Sequence, residues 1–431
     1  MKNRKSLVPL FVGLTPFFYS VIASYFSGVS FISIIIPNII LFYVVHLCYR
    51  NYLRSNKTVF IIFSLILLSQ LALNIYNSIT HNLPFTNVDW ETYDIYANNT
   101  VLNSDNLFSI FSNAPDLFSG MIAIIYKLFG RNISIIHYYI LPLFYLSILY
   151  TYKTVQLICN DKKKATIGAT ILSIYPVNYI FGMSILREIP VQLLVILSFY
   201  NIVCYMKNDI NRNYFISALC VILASMMHSG VLGLLIVYSY IFIQKRFLKK
   251  IKIFRPIMIF ITAAITALFS TTGIWSSASK RFSGIESGDD LVMRVNKTNS
   301  LLGGNTNYIL YDPTNLIELI AMIPYRALMF AIAPLPWQVY NVETIIALLI
   351  DGIPRLIILV LLVKTIIQNK KTTEDKKAIL ICDLLAILIT YIIFGLGVNN
   401  YGQAMRHRSK ILPLELVMIA SFYHRRVKNE V

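Results

Sequence analysis

The sequence is a succession of long apolar runs separated by short polar segments. Runs of about 20 apolar residues match a helix that crosses the hydrocarbon core of a bilayer. The runs are continuous rather than alternating, which excludes a membrane β-barrel and leaves a helical bundle to satisfy the backbone in lipid. The pattern predicts an all-α fold, a polytopic transmembrane helical bundle that forms a single integral-membrane domain over 1–431.

Lysine and arginine in the short polar segments orient the runs, because basic loops stay on the cytoplasmic side of a membrane. This rule places both termini in the cytoplasm and predicts about 12 crossings. The runs interpreted as crossings are Ser6–Tyr25, Phe31–Cys48, Val59–Ser78, Ile133–Val155, Ala165–Leu186, Val191–Met206, Pro256–Trp275, Thr344–Val363, Ala378–Gly395 and Ile411–Tyr423, with the shorter pair Tyr214–Met227 and Gly230–Ile243.

Two larger polar segments are interpreted as extracytoplasmic loops. The first loop, 80–130, contains the apolar stretch Leu117–Phe129, which is too short to cross and predicts a half-buried or re-entrant helix. The second loop, 276–340, contains Leu316–Pro334. Prolines in that stretch favour a broken re-entrant segment over a crossing helix.

Composition narrows the class of protein. Only 13% of the residues are charged, against about 25% in a soluble domain. The net charge of +18 lies mostly in short loops, where it orients the chain and contacts membrane lipids, so it does not indicate nucleic-acid binding. The five cysteines show no CxxC pairing and are interpreted as packing residues. No P-loop, Rossmann glycine pattern or zinc motif predicts a cofactor or a metal site.

A cluster of cations occurs where this topology predicts the outer side of the membrane. Arg406, His407 and Arg408 lie between two apolar runs. An anionic substrate would explain their position, since arginine suits forked phosphate recognition. The alternative is that these side chains reach lipid phosphates at a helix end. Other arginines predicted on the same side, and interpreted as further substrate-binding residues, are Arg187, Arg281 and Arg326.

The first outer loop carries the acidic candidates. A glycosyl transfer needs a carboxylate that accepts the proton of the attacking sugar hydroxyl. Asp89, Glu91 and Asp94 are the candidate general bases, and aromatic residues beside them offer faces on which sugar rings can stack. The alternative is an ordinary solvated acidic loop.

Two short polar turns complete the candidate site. Arg187 and Glu188 lie at the outer end of a predicted crossing, where they either bind phosphate or sugar or pin the helix end through a local ion pair. His228 lies at the apex of the short hairpin, either as a substrate contact or as a buried polar cap, and a histidine at membrane depth favours function. His81 and His137 are interpreted as interfacial or loop residues.

The order of these motifs resembles that of the Wzy- and EpsG-type polysaccharide polymerases, which are GT-C-like membrane glycosyltransferases. The stretches that carry the resemblance are Asp89–Asp94 with Tyr96, Ser184-Ile-Leu-Arg-Glu188, Met227-His228-Ser229, Pro334-Leu-Pro-Trp337 and Gly402–Pro413. The resemblance implies polymerisation of undecaprenyl-diphosphate-linked repeat units into O-antigen, capsule or exopolysaccharide. It also implies a multi-pass protein of the bacterial plasma (inner) membrane that acts with membrane lipids, a flippase and a chain-length regulator.

In this hypothesis, Arg406 and Arg408 bind the donor diphosphate with help from Arg187 and Arg326, and His228 positions the acceptor. One alternative is a transferase that adds a single sugar from a polyprenyl-phosphate donor. Another is a flippase for the lipid-linked unit. A transporter of that kind should have halves with matching broken helices, and the sequence shows no repeat.

Overall fold

The computed structural model describes residues 7–423, except 52, 54, 55, 85, 87, 88, 247–289, 291, 294, 297–306, 309, 310 and 370–372. The predicted crossing Pro256–Trp275 and the predicted ligand Arg281 lie outside the described residues. Within this part of the chain every named element is a helix, and the only strand-like pairing is an isolated bridge between Asn307 and Asn400. The all-α prediction is confirmed.

The helices are numbered here in chain order. They are α1 Leu7–Ser27, α2 Phe31–Asn51, α3 Lys57–Thr80, α4 Asp89–Leu102, α5 Leu107–Asn113, α6 Leu117–Phe129, α7 Ser134–Cys159, α8 Lys162–Ile174, α9 Pro176–Phe181, α10 Glu188–Asn208, α11 Asn211–Met227, α12 Gly233–Arg246, α13 Leu316–Ile332, α14 Val342–Gln368, α15 Glu374–Gly397, α16 Tyr401–Ser409 and α17 Leu412–Phe422. A π-helical turn, Leu348–Gly352, lies inside α14.

Six helices in the described part of the chain are long and apolar enough to cross a membrane, namely α2, α3, α7, α10, α14 and α15. Each overlaps a run that the sequence predicts as a crossing, and together they mark the chain as a helical membrane protein. The larger total of about 12 crossings from the basic-loop rule is not confirmed.

The chain divides into two compact units. Unit 1 is Met1–Tyr152 with Ala169–Leu193, and unit 2 is Lys153–Gly168 with Leu194–Val431. In unit 1, α1 packs against α2 and α3, while α6 packs against α4 and α5. In unit 2, α15 packs against α12, α13 and α17, so it forms the centre of that unit.

The predicted crossing Ala165–Leu186 is wrong as a single helix. Helix α8 ends at Ile174, and Pro176 begins the short helix α9. Proline has no N–H for the helical ladder and pushes the preceding residue out of the helical region. Tyr175 accordingly has an extended backbone, with φ −62° and ψ 118°. The turn that carries Arg187 therefore follows a short helix and an irregular segment.

Two other short segments differ from expectation. The stretch Leu316–Pro334 is a continuous helix up to Ile332 rather than a broken one, and it passes through Pro324. Close packing supports it, because a Cβ on Gly395 of α15 would lie 2.9 Å from the Arg326 carbonyl oxygen. Helix α17 has only 11 residues, or about 17 Å, which is less than the ~30 Å core that the predicted crossing requires.

The predicted hairpin and half-helix have the expected places. Helices α11 and α12 are joined by the 3₁₀ turn Ser229–Leu232, and His228 is the C-cap of α11, so it lies at the apex. Helix α6 has the bounds of the predicted half-helix. The fold thus places the polar turns of interest at helix ends, where side chains are held by defined backbone.

Candidate functional site

The acidic site lies in unit 1 and is organised around Arg187. Burial lowers the pKa of this guanidinium, but attraction by Tyr93, Glu188, Asp116 and Asp89 outweighs burial and raises it. The guanidinium is therefore within electrostatic range of three carboxylates. Arg187 is half-buried, as is Asp89, whereas Glu188 is only 4% exposed.

Helix geometry explains how these groups converge. Asp89 and Tyr93 are one turn apart on α4, so their side chains lie on the same face. Tyr93 packs edge-on against Phe118 of α6, with ring centroids 4.8 Å apart. Asp116 is the N-cap of α6, and its Oδ1 accepts the Ser119 N–H at 2.8 Å. Capping therefore fixes the second carboxylate beside the first.

Asp94 has different partners from Asp89. Its Oδ1 accepts the Tyr126 hydroxyl at 2.5 Å, and its Oδ2 pairs with Arg131 at 2.5 Å. Burial raises the pKa of the Asp94 carboxyl, but the hydrogen bonds from Arg131 and Tyr126 outweigh burial and hold the pKa below its usual value. A carboxylate that is held by two donors in this way is a weaker base and has a fixed position. Glu91 is exposed on α4.

His81 and His137 form a pair next to the start of α4. The interpretation of His137 as an interfacial or loop residue is wrong, because it is only 2% exposed within α7. Its Nδ1 lies 2.8 Å from the Met183 carbonyl, which can only accept, so this nitrogen carries the hydrogen. Its Nε2 then accepts a hydrogen bond from His81 Nδ1 at 3.0 Å. The His81 ring stacks on Trp90 at 4.5 Å. The pair therefore ties Met183, near Arg187, to the start of α4.

A small cavity of about 10 Å³ lies among the histidine pair, Trp90 and Ser184, which is roughly the space for one water molecule. Burial lowers the pKa of the His81 imidazole, and attraction by Asp94 offsets this only in part. His81 is therefore neutral over most of the physiological pH range.

The second group of candidate residues lies in unit 2, at the hairpin apex. The ring centroids of His228 and His407 are 4.5 Å apart, and His407 stacks on Phe394 at 4.8 Å. Lys410 Nζ lies 2.7 Å from His407 Nδ1, so the ammonium donates to that nitrogen. A Cβ on Gly230 would lie 2.3 Å from the Phe394 ring, so only glycine allows this close packing. The apex and the basic motif are thus in contact.

Arg408 and Arg326 are each 1% exposed and hold helix ends together. Arg408 donates to the carbonyls of Phe330 at 3.1 Å and Ala333 at 2.6 Å, and it forms an ion pair with Asp351. Arg326 donates to two carbonyls at the end of α15, both at 3.2 Å. Basic groups at a helix C-terminus offset its negative dipole. These contacts explain both arginines structurally, and their diphosphate role stays a prediction. Arg406 is half-buried.

Sequence reasoning missed an ion pair in the apolar core of unit 2. Arg355 contacts both carboxylate oxygens of Glu415, at 2.5 and 2.7 Å, and Tyr391 donates to the same carboxylate at 2.5 Å. Asp383 of α15 is 0% exposed, and neither of its oxygens has a hydrogen-bond partner among the described residues. Charged residues inside apolar runs were the available signal, since they are costly at membrane depth.

The structure therefore brings the predicted site residues together in two groups. Unit 1 unites the acidic loop with the Arg187–Glu188 turn, and unit 2 unites His228 with the basic motif around His407. Among the residues that the structure describes, no three His, Cys, Asp or Glu side chains group as ligands of a metal ion would. No protein-family model, curated protein or solved structure matches the chain.

Proposed function

We propose that the chain is an integral-membrane glycosyltransferase that polymerises polyprenyl-diphosphate-linked oligosaccharide units into a surface polysaccharide at the outer face of a bacterial plasma membrane. One observation carries the proposal, namely the half-buried Arg187 within electrostatic range of the carboxylates of Asp89, Asp116 and Glu188. A guanidinium and a carboxylate on fixed helix ends are the two groups that this reaction needs.

The proposed roles follow from the chemistry of the transfer. Asp89 accepts the proton of the acceptor sugar hydroxyl, whose oxygen forms the new bond to the anomeric carbon of the donor. The bond from that carbon to the diphosphate oxygen breaks, and the diphosphate leaves with the electron pair. Arg187 stabilises the charge that develops on it, because a guanidinium fork matches phosphate oxygens.

Other residues of unit 1 support these roles. Asp94 is assigned to positioning α4, because its carboxylate is held by Tyr126 and Arg131. Trp90 offers one ring face for a sugar, while its stacking on His81 fixes the indole. Helix α5 exposes Phe108 by 87% and Phe111 by 53%, a surface suited to the membrane interface and to a lipid-linked donor.

The decisive experiment uses purified protein with an undecaprenyl-diphosphate-linked repeat unit. We expect a ladder of products from the wild type and a loss of about 10²- to 10⁴-fold in rate for Asp89→Asn. Asp105→Asn is the matched control, since Asp105 is an exposed carboxylate of the same loop. Equal loss in both variants, or full activity of Asp89→Asn, would overturn the assigned base.

Product analysis separates the polymerase from the alternatives. Addition of one sugar from a polyprenyl-monophosphate donor would identify a single-sugar transferase instead. Movement of the intact lipid-linked unit across a vesicle membrane, without a new glycosidic bond, would identify a flippase. Absence of any reaction by well-folded protein would remove the proposal.

A further inference from the structure

A second cavity lies among segments that the distribution of lysine and arginine assigns to the cytoplasmic side of the membrane. It has a volume of about 120 Å³, well above the roughly 10–15 Å³ that one water molecule requires. Its walls come from three places in unit 2, namely the junction of α7 and α8, the junction of α14 and α15, and the end of α17. The lining residues are Cys159, Asp161, Lys164, Asn369, Lys376, Ser421 and Phe422.

Two side chains of the wall, Asn369 and Asp161, bind neighbouring backbone groups and so fix the shape of the cavity. Asn369 Nδ2 donates to the carbonyls of Phe422 at 2.6 Å and Thr365 at 2.8 Å, using both of its hydrogens. Asp161 Oδ1 accepts the backbone N–H groups of Lys163 and Lys164 at the start of α8. The amide and one carboxylate oxygen therefore belong to the framework.

The other donors of the wall are Lys164, Lys376 and Ser421, and the second oxygen of Asp161 remains an acceptor. Lys164 Nζ lies 3.5 Å from the carbonyls of Ser421 and Tyr423, which leaves it a third hydrogen. Ser421 is only 5% exposed, and its Oγ has no hydrogen-bond partner within the described residues. Lys376 is exposed at the rim. Two ammonium groups against one carboxylate leave an excess of one positive charge.

A buried hydroxyl and two ammonium groups around a pocket of this size suit a tetrahedral phosphate group. Anionic phospholipids concentrate such groups in the cytoplasmic leaflet, where they attract basic segments. Apolar surface lies near the pocket, because Ile167, about one turn along α8 from Lys164, is 56% exposed. Its side chain can contact an acyl chain while the pocket binds the headgroup.

We propose that this cavity binds the phosphate group of an anionic phospholipid, with Lys164, Lys376 and Ser421 as its ligands. The site is independent of the proposed transferase reaction and anchors the joined ends of α8, α14 and α17 to the membrane surface. It gives the apolar bundle of unit 2 a specific lipid rather than a general preference for negative charge.

The test is native mass spectrometry of the full chain released from phosphatidylcholine nanodiscs that contain phosphatidylglycerol. We expect one phosphatidylglycerol to remain on the wild type, with occupancy reduced roughly fivefold by Lys164→Gln or Lys376→Gln. The matched controls Lys163→Gln and Lys377→Gln alter neighbouring exposed lysines that do not line the cavity and should keep the lipid. Ser421→Ala should weaken retention without changing any charge.

The outcomes separate the sources of phosphate. If phosphatidylcholine were retained as well as phosphatidylglycerol, and inorganic phosphate displaced both, the cavity would be a phosphate site with no preference for an anionic lipid. Equal retention by the lining and control variants would overturn the site and indicate surface charge only. Because Ser421→Ala is a small change, its unaltered retention in folded protein would remove the hydroxyl as a ligand.

Discussion

The two units use charged side chains in opposite ways. In unit 1, one half-buried arginine, Arg187, is within range of several carboxylates and lies at the end of a helix. In unit 2, Arg355 and Arg408 are each at most 2% exposed and are matched to one acidic partner, Glu415 and Asp351 respectively. The same residue types therefore occur in an accessible mixed cluster and in buried pairs.

This contrast separates an arginine that is open to a ligand from arginines that stabilise the fold. A buried pair costs desolvation and is strongly destabilising when one partner is removed. A half-buried guanidinium keeps access to a ligand and meets phosphate with several N–H donors. Removal of Arg408 alone would therefore disturb the fold as well as any ligand contact, and a test of the predicted ligand has to separate these two effects.

The largest effect is expected from breaking the buried pair of Arg408. Arg408→Met removes the ion-pair partner of the buried Asp351, so the folded protein should lose about 3–5 kcal/mol and accumulate poorly. The double variant Arg408→Met with Asp351→Leu removes both charges and should recover much of that loss. Thermal unfolding and membrane yield measure this.

The activity of the double variant distinguishes a structural role of Arg408 from a role in binding the diphosphate. If the recovered protein also recovers polymer ladders, the role of Arg408 is structural. A folded but inactive double variant would instead support the predicted diphosphate role. Failure of the double variant to restore folding would show that Arg408 stabilises unit 2 mainly through its hydrogen bonds to the carbonyls of Phe330 and Ala333.

The next effect concerns Arg187 in unit 1. Arg187→Gln should reduce polymer formation per folded molecule about 10²- to 10³-fold, the loss typical of one donor to a developing negative charge. Arg187→Lys keeps the charge and loses the fork, so an intermediate rate is expected. The rate per folded molecule is measured with the lipid-linked repeat unit. Normal turnover by Arg187→Gln would contradict the diphosphate role and favour the alternative, in which Arg187 and Glu188 only pin the helix end.

A smaller effect follows from His81 and has a defined pH direction. Its folded pKa lies below the usual value of about 6.5, so the unfolded chain binds more protons near that pH. The stability that this group contributes is present above pH ~6.5 and is lost as the pH falls toward its folded pKa. We expect the unfolding temperature to fall between about pH 7 and pH 5, and to fall less in His81→Gln.

Asp94 is the control that limits this interpretation of the pH profile. Its folded pKa is also lowered, so its contribution is lost only as the pH falls below the ordinary carboxyl range of about 4. A decrease confined to the carboxyl range, unchanged in His81→Gln, would contradict the histidine assignment. Refolding at neutral pH should restore the original unfolding temperature.

Features of this fold that depend on a local pattern of apolar and polar residues could be predicted from the sequence. The six helices able to cross a membrane follow from apolar run length, and the apex of His228 follows from two short runs that meet there. The break at Pro176 was also local but was masked by the apolar residues on both sides. Run length alone therefore overestimates continuity.

Pairings between distant residues were not readable. Arg355 and Glu415 are 60 residues apart, and each looks like an isolated charge in an apolar run. The contact of His137 with His81 likewise joins residues 56 positions apart. The sequence predicted Asp89 and Arg187 in one site but could not predict that α4 packs on α6, which brings Tyr93 and Asp116 within electrostatic range of the same guanidinium.

The smallest effect is expected from the exposed ion pair of unit 1, Arg131 with Asp94. Like Arg355 with Glu415 in unit 2, it joins a guanidinium to a carboxylate. The Arg131 side chain is 52% exposed, whereas that of Arg355 is 2% exposed, although both guanidinium groups approach a carboxylate at 2.5 Å. Solvent and salt screen the exposed pair, so Arg131→Gln should barely change thermal unfolding, while Arg355→Gln should destabilise the protein about as much as Arg408→Met. Added salt should not change the loss of thermal stability that Arg355→Gln causes, because the buried pair is screened little. Equal destabilisation by the two substitutions would show that burial does not separate the units, and the division between accessible chemistry and buried support would fail.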